Sequence, residues 1–156
     1  MENDGLSFEE INIGDEIPPL VNKVTLIQMV MYAAATWDFH RHHYDKEFAQ
    51  TKGFPGPFVD GQMFGALLTK MITLWAGPYG VLKMLRLTYR AMVFPEDLIT
   101  CRGKVTKKFM EGGENLIGCE LWIENQKGER VVVPVNALLA LPSKNSNKNK
   151  SPGNEI

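Results

Sequence analysis

Asp60-Gly-Gln-Met-Phe-Gly-Ala-Leu-Leu-Thr-Lys-Met-Ile-Thr-Leu-Trp75 is the stretch whose reading decides the fold. Met63, Phe64, Leu67, Leu68, Met71, Ile72 and Trp75 recur at helical spacing and cover much of the circumference. A helix apolar over so wide an arc has to be buried, and a sheet wrapped around it does so. Its methionine-rich stripe reads as core packing rather than a cofactor contact.

Downstream, after Gly77-Pro78, the period changes to two. Leu85, Leu87, Tyr89 and Ala91 alternate with Arg86, Thr88 and Arg90, the pattern of a half-buried strand. Further strands are read over Leu98 to Lys107, Leu116 to Glu124 and Val131 to Leu141, separated by turns at Gly112-Gly113 and Lys127-Gly128. Pro134 cannot donate to a ladder, so it marks a bulge or a sheet edge. Helices early and antiparallel strands late give an α+β domain, one long helix against a curled sheet. No internal repeat, coiled-coil heptad or glycine-rich phosphate loop is visible.

Upstream, the rigid turn Phe54-Pro-Gly-Pro57 stops any helix before it. Asp45 caps a short helix reaching about Thr51, which Gly53 ends. Leu26 to Thr36 is another helix, with Leu26, Met29, Val30 and Ala33 at helical spacing and Thr25 as its N-cap. Val21 to Val24 reads as a first strand, preceded by a lead-in over residues 6–12.

The chemistry lies between those helices, in Trp37-Asp-Phe-His-Arg-His-His-Tyr-Asp45. This segment holds all 3 histidines of the chain, interleaved with aromatics and closed by carboxylates. Histidine titrates near neutrality, and a neighbouring carboxylate orients and tunes it. Asp38 and His43, brought together by a turn, are placed to hold one water molecule between them. Two plainer readings stand beside this one: zinc held by His40, His42 and His43, and a hydrogen-bonded structural cluster. No cysteine pair or His–Glu helical spacing accompanies the histidines to favour zinc.

Composition bounds the function. The 156 residues make one ordinary domain, 44% hydrophobic and 22% charged. A net charge of -1 gives no bulk reason to bind nucleic acid or an acidic membrane. Cys101 and Cys119 sit singly inside strands, as free thiols of a reducing compartment do. With no bilayer-length apolar run and an acidic start unlike a signal peptide, the cytoplasm is expected. Residues 1–142 are read as the domain. Residues 143–156, rich in Ser, Lys, Asn, Pro and Gly, are read as a disordered tail.

Three segments together resemble the MaoC-like (R)-specific enoyl-CoA hydratases, which have the hotdog fold. The family pattern runs roughly Asp-x-Asn-Pro-Ile/Leu-His-x-Asp, then Ala-x-x-x-Gly-Phe, then Pro-Ile-Ala-His-Gly-Met. Here Asp38, His43 and Asp45 match the first part, Ala49 and Gly53-Phe54 the second, and Pro57, Gly61 and Met63 the third. The resemblance spans about Phe8 to Leu141. Trp75-Ala-Gly-Pro78 and Asp38-Phe-x-x-x-His43 are especially similar to small MaoC-like subunits of steroid side-chain enoyl-CoA hydratases, which work as heteromers.

The resemblance implies catalysis by Asp38 and His43 on a water that adds to a trans-2-enoyl-CoA, giving a 3-hydroxyacyl-CoA of fatty acyl or steroid side-chain metabolism. It implies that the Gly61 backbone N–H binds the thioester carbonyl, at a helix N-terminus whose dipole favours negative charge. It makes Thr69 a candidate orienter near the catalytic Asp. CoA enters as part of the substrate, and no metal or other cofactor is needed. A homodimer, or a heteromer with another MaoC-like subunit, is the implied assembly.

The chain departs from the family where His40 and Arg41 replace Asn-Pro and where Asp60 replaces the histidine before Gly61. His40 and Asp60 thereby become candidate substrate-binding residues peculiar to this sequence. Asp60 also supports two alternatives to its role there: a simple helix N-cap, and the carboxylate of a hotdog acyl-CoA thioesterase. A third alternative is a non-catalytic hotdog subunit that completes a partner's acyl tunnel.

Overall fold

The computed structural model describes residues 5–144. A short 3-10 turn, Phe8–Glu10, leads into strand β1, Glu16–Lys23, and helix α1, Leu26–Thr36. A second 3-10 turn, Arg41–His43, precedes the short helix α2, Lys46–Thr51, and the long helix α3, Gly61–Ala76. Strands β2, Val81–Tyr89, β3, Leu98–Glu111, β4, Glu114–Asn125, and β5, Arg130–Ala140, complete the fold. The strands form one antiparallel 5-stranded sheet in the order β1-β3-β4-β5-β2. This is the α+β hotdog arrangement expected of the sequence.

The sheet closes on α3 because α3 is apolar where the strands need it. Met63, Phe64, Leu67, Leu68, Met71, Ile72 and Ala76 are all buried along the helix. Opposite them, alternate residues of the central strands point inward: Ile99, Cys101 and Val105, then Cys119, Leu121 and Ile123, then Val135, Ala137 and Leu139. The methionines of the helix stripe, Met63 and Met71, therefore serve the core.

Local signals place the helix starts. Thr25 Oγ1 accepts from the Gln28 N–H at 3.1 Å, and Asp45 Oδ1 from the Phe48 N–H at 2.9 Å. Asp60 Oδ1 accepts from the Gln62 N–H at 3.0 Å and so caps α3. Each bond satisfies a donor that the first helical turn leaves without a partner. In α1 only Met29 and Ala33 are buried, while Leu26 and Val30 of the same stripe remain exposed.

Two expectations, for β1 and β2, need correction, and a third, for Pro134, resolves to one of its alternatives. Strand β1 begins at Glu16 rather than Val21 and runs through Pro18-Pro19. An edge strand admits proline because its outer N–H groups pair with nothing, and β1 lies at the sheet edge. Pro134 does not mark an edge, since β5 pairs with both β4 and β2. It marks a bulge: both ladders shift register between Val132 and Val135. On β2, Leu85 and Leu87 pack on the core, but Tyr89 is exposed and Ala91 lies beyond the strand.

Residues from 145 onward, most of the tail read as disordered, lie outside the described residues. Ser143 and Lys144 are bonded: the Ser143 hydroxyl and the Lys144 N–H both donate to the Glu9 carboxylate. Among the described residues no helix is long and apolar enough to cross a membrane.

Candidate active site

Helix α1 stops at Trp37, whose φ of 57° puts it in the left-handed region. The reversal turns the next residues out of the helix and delivers Asp38 to a loop. The Asp38 Oδ1 accepts from the His40 N–H at 3.2 Å, a local turn that holds the carboxylate near the chain it serves. The 3-10 turn Arg41–His43 then aims His43 back across the loop.

His43 is fixed from the far side of its ring. Its Nδ1 lies 2.8 Å from the carbonyl oxygen of Phe58, 15 residues later. A carbonyl only accepts, so Nδ1 carries the hydrogen and Nε2 is left for chemistry. The two segments are tied again where the Phe58 N–H donates to the His42 carbonyl at 3.2 Å. Asp45, at the end of the motif, is structural. It caps α2 and accepts from Arg41 Nε at 3.0 Å and Nη2 at 2.7 Å. The Phe48 N–H first, and the Arg41 guanidinium next, hold its carboxyl below the usual range.

Asp60 closes the group. Asp38, His43 and Asp60 each offer one ligand atom, and these atoms all lie within 4.8 Å of one another. While Oδ1 of Asp60 caps α3, its Oδ2 is buried and has no hydrogen-bonding partner among the described residues. Beside it stand two phenols that the sequence did not single out, Tyr32 of α1 and Tyr89 of β2. Burial first, and the charge of Asp60 next, push both phenols up, so they stay protonated. Nothing in a single tyrosine on an alternating strand signals this.

Gly61 follows immediately, heading α3. A Cβ at Gly61 would stand 2.7 Å from Cζ and 3.0 Å from the hydroxyl of Tyr89. Glycine is therefore required by the close approach of that ring. The first-turn N–H groups of α3 lack intrahelical acceptors, and the helix dipole adds partial positive charge there. A carboxylate pair, an imidazole nitrogen and a helix N-terminus thus meet at one place.

The remaining sequence candidates are not members of that three-residue group, although the His40 ring centroid lies 5.9 Å from that of His43. His40 and His42 are stacked, with ring centroids 4.4 Å apart and their Nδ1 atoms 2.7 Å apart. His42 sits edge-on to Phe48 and Phe54, and burial pulls its imidazole down, with His40, His43 and Lys52 adding to the shift. The three histidines do not form a metal-ligand group; among the described residues Asp38, His43 and Asp60 are the set that could hold a cation. Thr69 lies two turns along α3, about 12 Å from Gly61 by helical rise. Its carbonyl accepts from the Thr73 hydroxyl at 2.8 Å.

Comparisons with known proteins bear on this geometry. The family described as "MaoC like domain" matches residues 12–120. The 3-oxo-4,17-pregnadiene-20-carboxyl-CoA hydratase beta subunit of Mycobacterium tuberculosis is 29% identical over 107 residues, 69% of this chain and 80% of that protein. The structure of the ChsH1-ChsH2 complex from the same organism aligns at TM-score 0.75 and 27% identity, covering 83% of this chain and 98% of that one. The unliganded R-hydratase PhaJ1 from Pseudomonas aeruginosa shares the fold, with TM-score 0.81 and 22% identity over 90% of this chain and 88% of that one.

Proposed function

The chain belongs to the MaoC-like domain family, and from that premise we propose that it is an enoyl-CoA hydratase, adding water across a trans-2-enoyl thioester to give a 3-hydroxyacyl-CoA. The observation that carries the reading is the gathering of Asp38, His43 and Asp60 within 4.8 Å at the head of α3. Asp38 and the free Nε2 of His43 hold the water that attacks the β-carbon. One of them takes its proton, and the pair returns a proton to the α-carbon. Charge that develops on the thioester oxygen meets the N–H groups at the start of α3, Gly61 among them, where donors and dipole already point outward.

The similarity to the beta subunit of a 3-oxo-4,17-pregnadiene-20-carboxyl-CoA hydratase supports two finer proposals. The acyl group is bulky rather than a short straight chain, and the working unit is a heteromer with a second MaoC-like subunit, in the cytoplasm. No metal is called for: two side chains and a helix end supply the base, the acid and the oxyanion donors.

Crotonyl-CoA and a bulkier enoyl-CoA, followed at the conjugated enoyl-thioester band with a parallel thiol trap, test this. Loss of the band without free thiol is expected, faster for the bulkier substrate. Release of thiol would replace the reading with thioester hydrolysis by Asp60, which the free Oδ2 of that residue favours as the rival.

A further inference from the structure

We propose that Asp60 is a third catalytic residue, whose Oδ2 accepts the second hydrogen of the water that Asp38 and His43 hold. The inference rests on the hydratase reading and deepens it, because the family pattern has histidine where this chain has Asp60.

The two oxygens of Asp60 are in different circumstances. Oδ1 accepts the Gln62 N–H and so does all that a helix cap requires. Oδ2 is buried without a partner among the described residues. A buried acceptor left unmade costs about 1–3 kcal/mol, which a bound donor recovers. A capping role explains the first oxygen and leaves the second unexplained.

The distances admit a water as that donor. Groups hydrogen-bonded at about 2.8 Å to one tetrahedral oxygen lie about 4.6 Å from each other. Ligand atoms of Asp38, His43 and Asp60 lie within 4.8 Å of one another, close enough for a single water to touch all three. A water has two hydrogens and two lone pairs. Asp38 and Asp60 accept the hydrogens, His43, carrying a proton on Nε2 as well as on Nδ1, donates to the oxygen, and a lone pair remains for the β-carbon.

In the reaction a C–O bond forms at the β-carbon as the π pair of the double bond moves to the α-carbon and the thioester. The hydrogen facing Asp38 passes to that carboxylate as a proton, and the Nε2 proton of His43 closes the α-carbon. The hydrogen facing Asp60 stays on the product as the 3-hydroxyl, still bonded to Oδ2. Atoms and electrons balance with water alone as co-reactant.

Asp60→Asn separates the roles. Asn caps as well as Asp. Only its oxygen can accept the Gln62 N–H, which forces the NH2 group to where Oδ2 was. The full-length variant is expected to melt as the parent does, to keep KM within about twofold, and to lose about 10²-fold in kcat. Asp60→Ser, which keeps a cap and removes Oδ2, is expected to lose as much. Parental kcat in both variants overturns the proposal, while an inactive Asp38→Asn measured alongside leaves the hydratase reading standing. A crystal structure of the full chain supplies an arm independent of turnover. One water within hydrogen-bonding distance of Asp38, His43 and Asp60 supports the proposal. A water touching only Asp38 and His43, or none, overturns it.

Discussion

The Nδ1 of His43 and the carbonyl oxygen of Phe58 lie 2.8 Å apart, and this bond decides which face of the imidazole is available. An asparagine at position 43 reaches the carbonyl with its amide N–H but offers nothing in place of Nε2. His43→Asn should fold with little change in melting temperature and lose about 10²- to 10⁴-fold in kcat, the usual range for a removed acid–base group. Asp38→Asn should do the same. Enoyl-band turnover beside a thermal melt checks both, and unimpaired turnover in either would remove the water-holding pair.

Gly61 meets the Tyr89 ring rather than backbone, with the nearest atoms at the far end of a half-exposed side chain. Gly61→Ala should therefore cost little stability, about 1 kcal/mol, because the ring can swing away. It should still impair turnover by crowding the approach to the α3 N-terminus. Gly61→Ala combined with Tyr89→Ser should recover part of the loss. If the double variant is no better than the single, the ring is not the obstacle.

His42 gives an acid-side dependence. Burial, with its charged neighbours, holds its imidazole below the ordinary value, so the unfolded chain binds this proton more readily. Its contribution is fully present above the unfolded value, about 6.5, and is lost as pH falls through the folded one. Urea midpoints measured at several pH values from neutral downward should fall less steeply for His42→Phe than for the parent. Parallel curves would show that other groups govern the acid side.

Cys101 and Cys119 are buried on strands β3 and β4, and burial pushes both thiols up to about 12. Thiolate, not thiol, reacts with disulfide reagents. At mildly alkaline pH the native protein should show almost no labelling, and denaturant should expose both groups. Rapid labelling of the native chain would mean that the sheet opens locally.

Contacts join the last described residues to the N-terminal lead-in. The Phe8 N–H donates to the Pro142 carbonyl at 2.9 Å, and Ser143 and Lys144 hold Glu9. Truncation after Lys144 should leave the melting temperature unchanged. Truncation after Leu141 should lower it by about 2–4 °C, the response of a domain this size to losing about 1 kcal/mol. Equal melting of the two would show those bonds to be inconsequential.

What could be read from the residues alone was whatever depends on neighbours in the chain. Thr25, Asp45 and Asp60 announce helix starts because each cap bonds an N–H two or three residues away. Alternation announces β3, β4 and β5 because side-chain direction repeats every two residues. The start of β1 escaped because Pro18-Pro19 reads as a loop until its place at the sheet edge is known. The order β1-β3-β4-β5-β2 likewise has no local signature. Asp38 and His43 were legible as a pair within one turn, and Gly61 through the family pattern. Tertiary structure alone decided that Asp60 completes their group and that Tyr32 and Tyr89 stand beside it. Those placements depend on how α1, α3 and β2 meet around a shared core, and no spacing along a chain specifies which ends of separate elements are packed together.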